Sequence, residues 1–89
     1  MNLNKNWQLR VRKKVYKSLN KFPKKDSGKI IFTIKQISVN PYYGDIQKME
    51  GEKDVWRRRI GNYRIFYEII HNEKVIYVFD IERRTSKTY

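Results

Sequence analysis

The spacing of hydrophobic positions changes near the middle of the chain. In the first half it is helical: Val15, Leu19 and Phe22 fall four and three apart with lysines opposite, which predicts an amphipathic helix over about residues 12–22, ended with the help of Pro23. Ile30, Ile31, Ile34 and Ile37 recur at the same period before Asn40-Pro41 stops them, and Asp26 and Ser27 stand where N-caps would. The reading is a second helix and hence a helical hairpin, although β-branched isoleucines also suit a strand. Ahead of the hairpin, Trp7, Leu9 and Val11 alternate with Gln8 and Arg10, as in a short strand or the first turn of a helix.

From Val55 onward the period is two. Residues 55–60, 63–70 and 74–81 are dense in aromatic and β-branched side chains, and Gly61-Asn62 and His71-Asn72-Glu73 between them are turn material, so three strands in a meander are expected. Tyr63, Ile65, Tyr67 and Ile69 share one face of the second of these strands, and Val75, Tyr77, Phe79 and Ile81 share one face of the third. Such a face can receive the hairpin. Residues 42–54 read as a polar loop and residues 82–89 as a polar, basic tail. The expected class is α+β, a short N-terminal strand and helical hairpin packed on a C-terminal antiparallel meander. With 89 residues there is room for one core, hence one domain over 1–89.

Charge narrows the function. Lys plus Arg number 21 against nine Asp plus Glu, a formal net charge of +12, and such self-repulsion calls for a polyanion or an acidic protein. The absence of cysteine removes disulfides, thiolate zinc sites and a cysteine nucleophile. No apolar run approaches a membrane span, and the polar start Met1-Asn2-Leu3-Asn4-Lys5-Asn6 lacks the apolar centre of a signal peptide, so a cytoplasmic protein with no membrane partner is expected.

Period-two geometry places Arg57 and Arg59 on one face of their strand and Trp56, Arg58 and Ile60 on the other. Arg64 follows one turn later, and register decides whether it joins that pair. Arg83 extends from the end of the third strand. A solvated sheet face is one reading of these cations; a phosphate gripped by guanidinium forks is the other. Trp56, Tyr63, Tyr67, Tyr77 and Tyr89 interleave with the basic positions, as in proteins that bind single-stranded RNA by stacking beside positive charge. Most of these aromatics belong in the core, but Tyr89 ends a polar tail where packing has no use for it. Arg58, Arg84 and Lys87 are further candidates for RNA binding. The single histidine, His71, sits in a turn as a solvated residue, and Asp45, Glu50, Glu52 and Asp54 lack the paired spacing of a two-metal nuclease. Metal-free cleavage, with no cofactor, is the enzymatic option that remains.

The run from Val55 to Ile69, then Val75-Ile76-Tyr77-Val78 and the ending Arg83-Arg84-Thr85-Ser86-Lys87-Thr88-Tyr89, resembles the C-terminal half of RelE-type toxins in the RelE/ParE-like superfamily. The hairpin and Gly44-Asp45-Ile46-Gln47-Lys48-Met49-Glu50-Gly51 extend the resemblance over nearly the whole chain. It implies a type II toxin of the mRNA interferase branch, a ribosome-dependent, metal-independent endoribonuclease that inhibits translation. Its implied partners are a cognate antitoxin and the ribosome with mRNA in the A site. Carried over by position, the catalytic set is Arg57, Arg59, Arg64, Arg83 and Tyr89. The RNA's own 2′-hydroxyl would attack the adjacent phosphate, the arginines would stabilise the phosphorane, and Tyr89 would transfer a proton or stack on a base. Gyrase-poisoning relatives of the same fold generally lack this set, so a ParE-like gyrase inhibitor, or another non-catalytic binding module, is the alternative. Two positions depart from the family. Arg58 stands where an apolar residue facing the helices is usual, and must snorkel past an edge or lie off the core. The basic pair is two arginines, which keep their protons and act as electrostatic stabilisers, not as bases.

Overall fold

The computed structural model describes residues 7–84. The elements are β1 (Gln8–Val11), α1 (Lys13–Lys21), α2 (Lys24–Val39), β2 (Ile46–Lys48), β3 (Val55–Ile60), β4 (Tyr63–Ile70) and β5 (Val75–Arg83), with one short 3-10 turn at His71–Glu73. The strands form a single sheet in the order β1-β5-β4-β3-β2, antiparallel throughout except that β1 runs parallel beside β5. Both helices lie on one side of it, and among the described residues the other side carries no helix. The α+β expectation holds, with a mixed sheet of five strands around the antiparallel meander.

The packing follows the two periods. On β4 buried and half-buried residues alternate without a break, so Tyr63, Ile65, Tyr67 and Ile69 meet Val15, Leu19, Ile30, Ile34 and Ile37 from the helices. Phe22, at the end of α1, rests against the Tyr63 ring, 4.8 Å between centroids. Of the four isoleucines of α2, Ile31 is 43% exposed, and Phe32 beside it points outward as well.

Four local expectations are corrected. First, α2 starts at Lys24, right after Pro23, and its N-terminus has no side-chain cap. The two residues expected to cap it are used elsewhere: Ser27 Oγ donates to the Leu19 carbonyl at the end of α1 (2.6 Å), and Asp26 accepts from the Tyr63 hydroxyl (2.6 Å). Both bonds tie the hairpin together or to the sheet. Second, the expected loop over 42–54 contains β2, which adds an edge to the sheet beside β3. Third, β5 does not keep its expected face. Phe66 lies opposite Asp80 but Tyr67 opposite Val78, so Phe79 is an extra residue and the alternation inverts at that bulge. Ile76, Val78 and Ile81 enter the helix-side core; Tyr77 and Phe79 turn to the helix-free side with Phe66. Fourth, β5 continues to Arg83, so Glu82 and Arg83 belong to the sheet and not to a tail.

Gly28 is an exposed residue inside α2 with open space around the position of a Cβ and no left-handed backbone. Replacing it by alanine removes the entropic cost of glycine without a clash. Gly28→Ala is expected to stabilise the protein by about 0.5–1 kcal/mol, read as a higher urea midpoint at unchanged m-value.

Tyr67 is fully buried, and its hydroxyl donates to the Pro41 carbonyl at 2.5 Å. Burial pushes its phenol up to about 12, with the Arg58 charge pulling the other way; Tyr63 is raised as well, by burial and by its bond to Asp26, against Arg83. An unfolded tyrosine titrates near about 10. The folded protein therefore holds protons that the unfolded chain releases, and this stability is complete below about pH 10 and lost as the pH climbs from about 10 toward about 12. Urea unfolding at about pH 9 and about pH 11 should show the loss in the wild type and a shallower one in Tyr67→Phe, at up to about 1.4 kcal/mol per pH unit for the tyrosine removed.

Candidate functional site

The helix-free face of the sheet collects the cations. Arg57 and Arg59 of β3 point there together, and the hairpin at Gly61-Asn62 sets Arg64 of β4 directly opposite Arg59. Gly61 has φ +58, the left-handed conformation that a two-residue turn of this kind requires. Register, which the sequence left open, thus brings Arg64 to the pair. Arg64 Nε is buried and has no hydrogen-bond partner among the described residues. Partial burial lowers the pKa of its guanidinium, as do the charges of Arg84, Arg57 and Arg59, while Glu82 opposes them. Three arginines therefore bear on Arg64.

Two side chains of β2 and its approach hold this array, and the sequence reading missed both. Asp45 accepts from Arg59 Nε at 3.0 Å, while its backbone carbonyl receives the Arg59 N–H at 2.9 Å. Gln47, opposite Arg57 in the register, accepts from that guanidinium. A strand of three residues is too short for periodicity to reveal, so nothing in the sequence placed Asp45 or Gln47 there.

The neighbours Arg83 and Arg84 part company. Arg83 lies opposite Tyr63, on the helix side, with its guanidinium 5.7 Å from the centre of the Tyr63 ring. Arg84, whose N–H bonds to the Asn62 carbonyl at 2.6 Å, is the one whose charge bears on Arg64. Arg58 also leaves the array. It lies between Ile46 and Ile65 on the helix side and runs out past the sheet edge to donate to the Tyr43 carbonyl at 3.3 Å. Its guanidinium crosses Gly44, where a Cβ would come within 2.5 Å of Cζ, so the glycine makes room for the snorkelling arginine. Lys87 and Tyr89 lie outside the described residues. His71 is exposed, 3.7 Å from Asp54 and edge-on to Trp7, as expected of a turn residue.

The sequence profile described as ParE toxin of type II toxin-antitoxin system, parDE, matches residues 7–87. The chain belongs to the RelE/ParE toxin superfamily. It is thereby a toxin of the type II toxin-antitoxin class. A Methanocaldococcus jannaschii protein named RelE1 is 28% identical over 81 residues, covering 88% of this chain and 90% of that protein. The RelE of the archaeal RelE-RelB complex from Pyrococcus horikoshii superposes with a TM-score of 0.79 at 25% identity, covering 93% of this chain and all of that one. The isolated Escherichia coli RelE toxin shares the fold, with a TM-score of 0.77 at 16% identity over 91% of this chain and 87% of that one. Among the described residues of this RelE/ParE toxin, no helix is long and apolar enough to cross a membrane.

Proposed function

We propose that this toxin is an endoribonuclease that binds messenger RNA across the arginine face and cleaves it in the ribosomal A site without a metal. The observation that carries the reading is the convergence of Arg57, Arg59, Arg64 and Arg84 on the helix-free side of the sheet. A cluster of like charges is unfavourable until an anion enters it, and guanidinium forks match phosphate oxygens in two-bond geometry.

In this mechanism the 2′-oxygen attacks the adjacent phosphorus, the bond to the 5′-oxygen breaks, and a 2′,3′-cyclic phosphate and a 5′-hydroxyl result. The 2′-proton departs and the 5′-oxygen gains one. Arginine exchanges neither at neutral pH, so Arg57, Arg59, Arg64 and Arg84 stabilise the phosphorane charge. Tyr89 is the proposed proton carrier or stacking residue. Arg84 takes the place the sequence assigned to Arg83, which instead braces Tyr63; Lys87 would add a phosphate contact at the margin, whereas Arg58, expected to bind RNA, lies on the helix side away from that phosphate. With such weak acid and base groups the rate depends on orientation, which a ribosome-held substrate supplies and free RNA does not.

The Pyrococcus horikoshii and Methanococcus jannaschii structures are complexes with RelB. By extension the partner here is a cognate acidic antitoxin, for which a cavity of about 160 Å³ between Val11, Tyr16, Ile31 and Ile34 offers apolar area beside the lysines of α1. A gyrase inhibitor is the second reading, favoured by the ParE profile match. Primer extension on mRNA after brief induction, with plasmid supercoiling measured in parallel, separates the two. Cuts within translated codons support the ribonuclease; intact mRNA with altered supercoiling supports the gyrase target.

A further inference from the structure

On the helix-free face, beside the arginines, lies a concavity of about 380 Å³ whose chemistry is unlike the rest of this basic surface. Its aromatic walls are Phe66 and Phe79, with ring centroids 6.4 Å apart and planes tilted by 35°. Glu52, Asp80 and Glu82 line it too, so three of the nine acidic residues of the chain meet at a hollow that, among the described residues, no Lys or Arg lines. Phe79 is there because the bulge in β5 turned it out of the core.

The hollow is also placed relative to the array. Phe66 lies opposite Arg57 and two residues along β4 from Arg64, on the same face, which is a step of about 7 Å. A phosphate held by Arg57 and Arg64 would leave its attached nucleoside over Phe66.

We infer that this concavity is a base subsite for the nucleotide joined to the bound phosphate, and that it selects bases carrying an exocyclic amine over uracil. The inference rests on the RNA-binding reading of the arginine face. The two phenyl rings offer a stacking surface that any base can use. The carboxylates make the choice: they accept hydrogen bonds from the amine of cytosine, adenine or guanine, as Glu and Asp accept from cytosine N4. Uracil presents carbonyl oxygens on both sides of its N3–H, and these face acidic oxygens unfavourably. Asp80 is already engaged, by its neighbour's Ile81 N–H at 2.9 Å and by Lys14 at 3.5 Å. Glu82 is exposed and, among the described residues, forms no ion pair within 4 Å; it lies opposite Arg64 in the register, so its carboxylate stands where the hollow meets the arginine array, as an acceptor beside the bound phosphate.

Cytidine and uridine 3′-monophosphates are the probes, since they differ in the edge the carboxylates would read and share ring size and phosphate. Titrated into the full-length chain and followed by NMR, cytidine monophosphate should shift the aromatic signals of Phe66 and Phe79 and bind about five- to tenfold more tightly than the uridine form. Glu82→Gln, at an exposed site, should bring the two affinities within about twofold while circular dichroism stays unchanged. Equal affinities in the wild type, an unchanged ratio in Glu82→Gln, or signals that move at Arg64 but not at Phe66 and Phe79 would overturn the inference. Nucleotide binding is measured without cleavage, so failure of the ribonuclease reading, seen as intact mRNA in the primer-extension test, remains a separate result.

Discussion

Replacing Arg64 by alanine should lower the rate of mRNA cleavage on programmed ribosomes by about a hundredfold or more, the loss typical of removing one preorganised donor from a charged transition state. Arg64 stands at the centre of the array, opposite Arg59, and the charges of Arg84, Arg57 and Arg59 all bear on it. Substrate binding should fall far less, because in the proposed mode the remaining cations would still hold the RNA backbone; single-turnover rates at saturating toxin separate the two effects. Arg83 and Arg84 provide the internal contrast. Arg84→Ala should also slow cleavage, whereas Arg83→Ala, at a residue turned to the Tyr63 ring, should leave the rate within about threefold and act on stability through a cation–π contact worth about 0.5–1 kcal/mol. A variant Arg64→Ala that loses affinity in proportion to rate, or an Arg83→Ala that abolishes turnover, would contradict this division of labour.

Tyr67→Ala should be the most destabilising of the substitutions considered, by about 3–5 kcal/mol. Tyr67 heads the fully buried side chains by volume, in the middle of β4, flanked in the sheet by Trp56 of β3 and Val78 of β5 and packed in the helix-side core. Total stability for a domain of 89 residues is on the order of 5–13 kcal/mol, so the loss removes a large part of it. Tyr67→Phe keeps the ring but strands the Pro41 carbonyl, and should cost about 1–2 kcal/mol. Urea denaturation of both variants tests the pair: equal losses would mean that the hydroxyl, and not the ring, anchors the turn after α2.

These predictions come from different depths of the chain's information. The half-buried faces of β4 and α1 were readable because each needs only a local pattern: Tyr63, Ile65, Tyr67 and Ile69 alternate, and Val15 and Leu19 share a helical stripe. The start of α2 was not, since Asp26 and Ser27 are good caps in isolation, yet partners elsewhere in the fold, Tyr63 and the end of α1, claim their side chains.

The candidate site divides in the same way. The sequence by itself determined that Arg57 and Arg59 share a strand face, that Gly61-Asn62 returns the chain beside them, and that the chain carries a large excess of positive charge, because periodicity, turn chemistry and composition are local or additive properties. Only the tertiary structure decided the rest. Register set Arg64 against Arg59, a bulge inverted β5 and brought Phe79 beside Phe66, and the continued strand sent Arg83 and Arg84 to opposite sides. Each of these depends on which backbone hydrogen bonds form between segments distant in sequence, and a shift of one residue there exchanges the two faces of a strand.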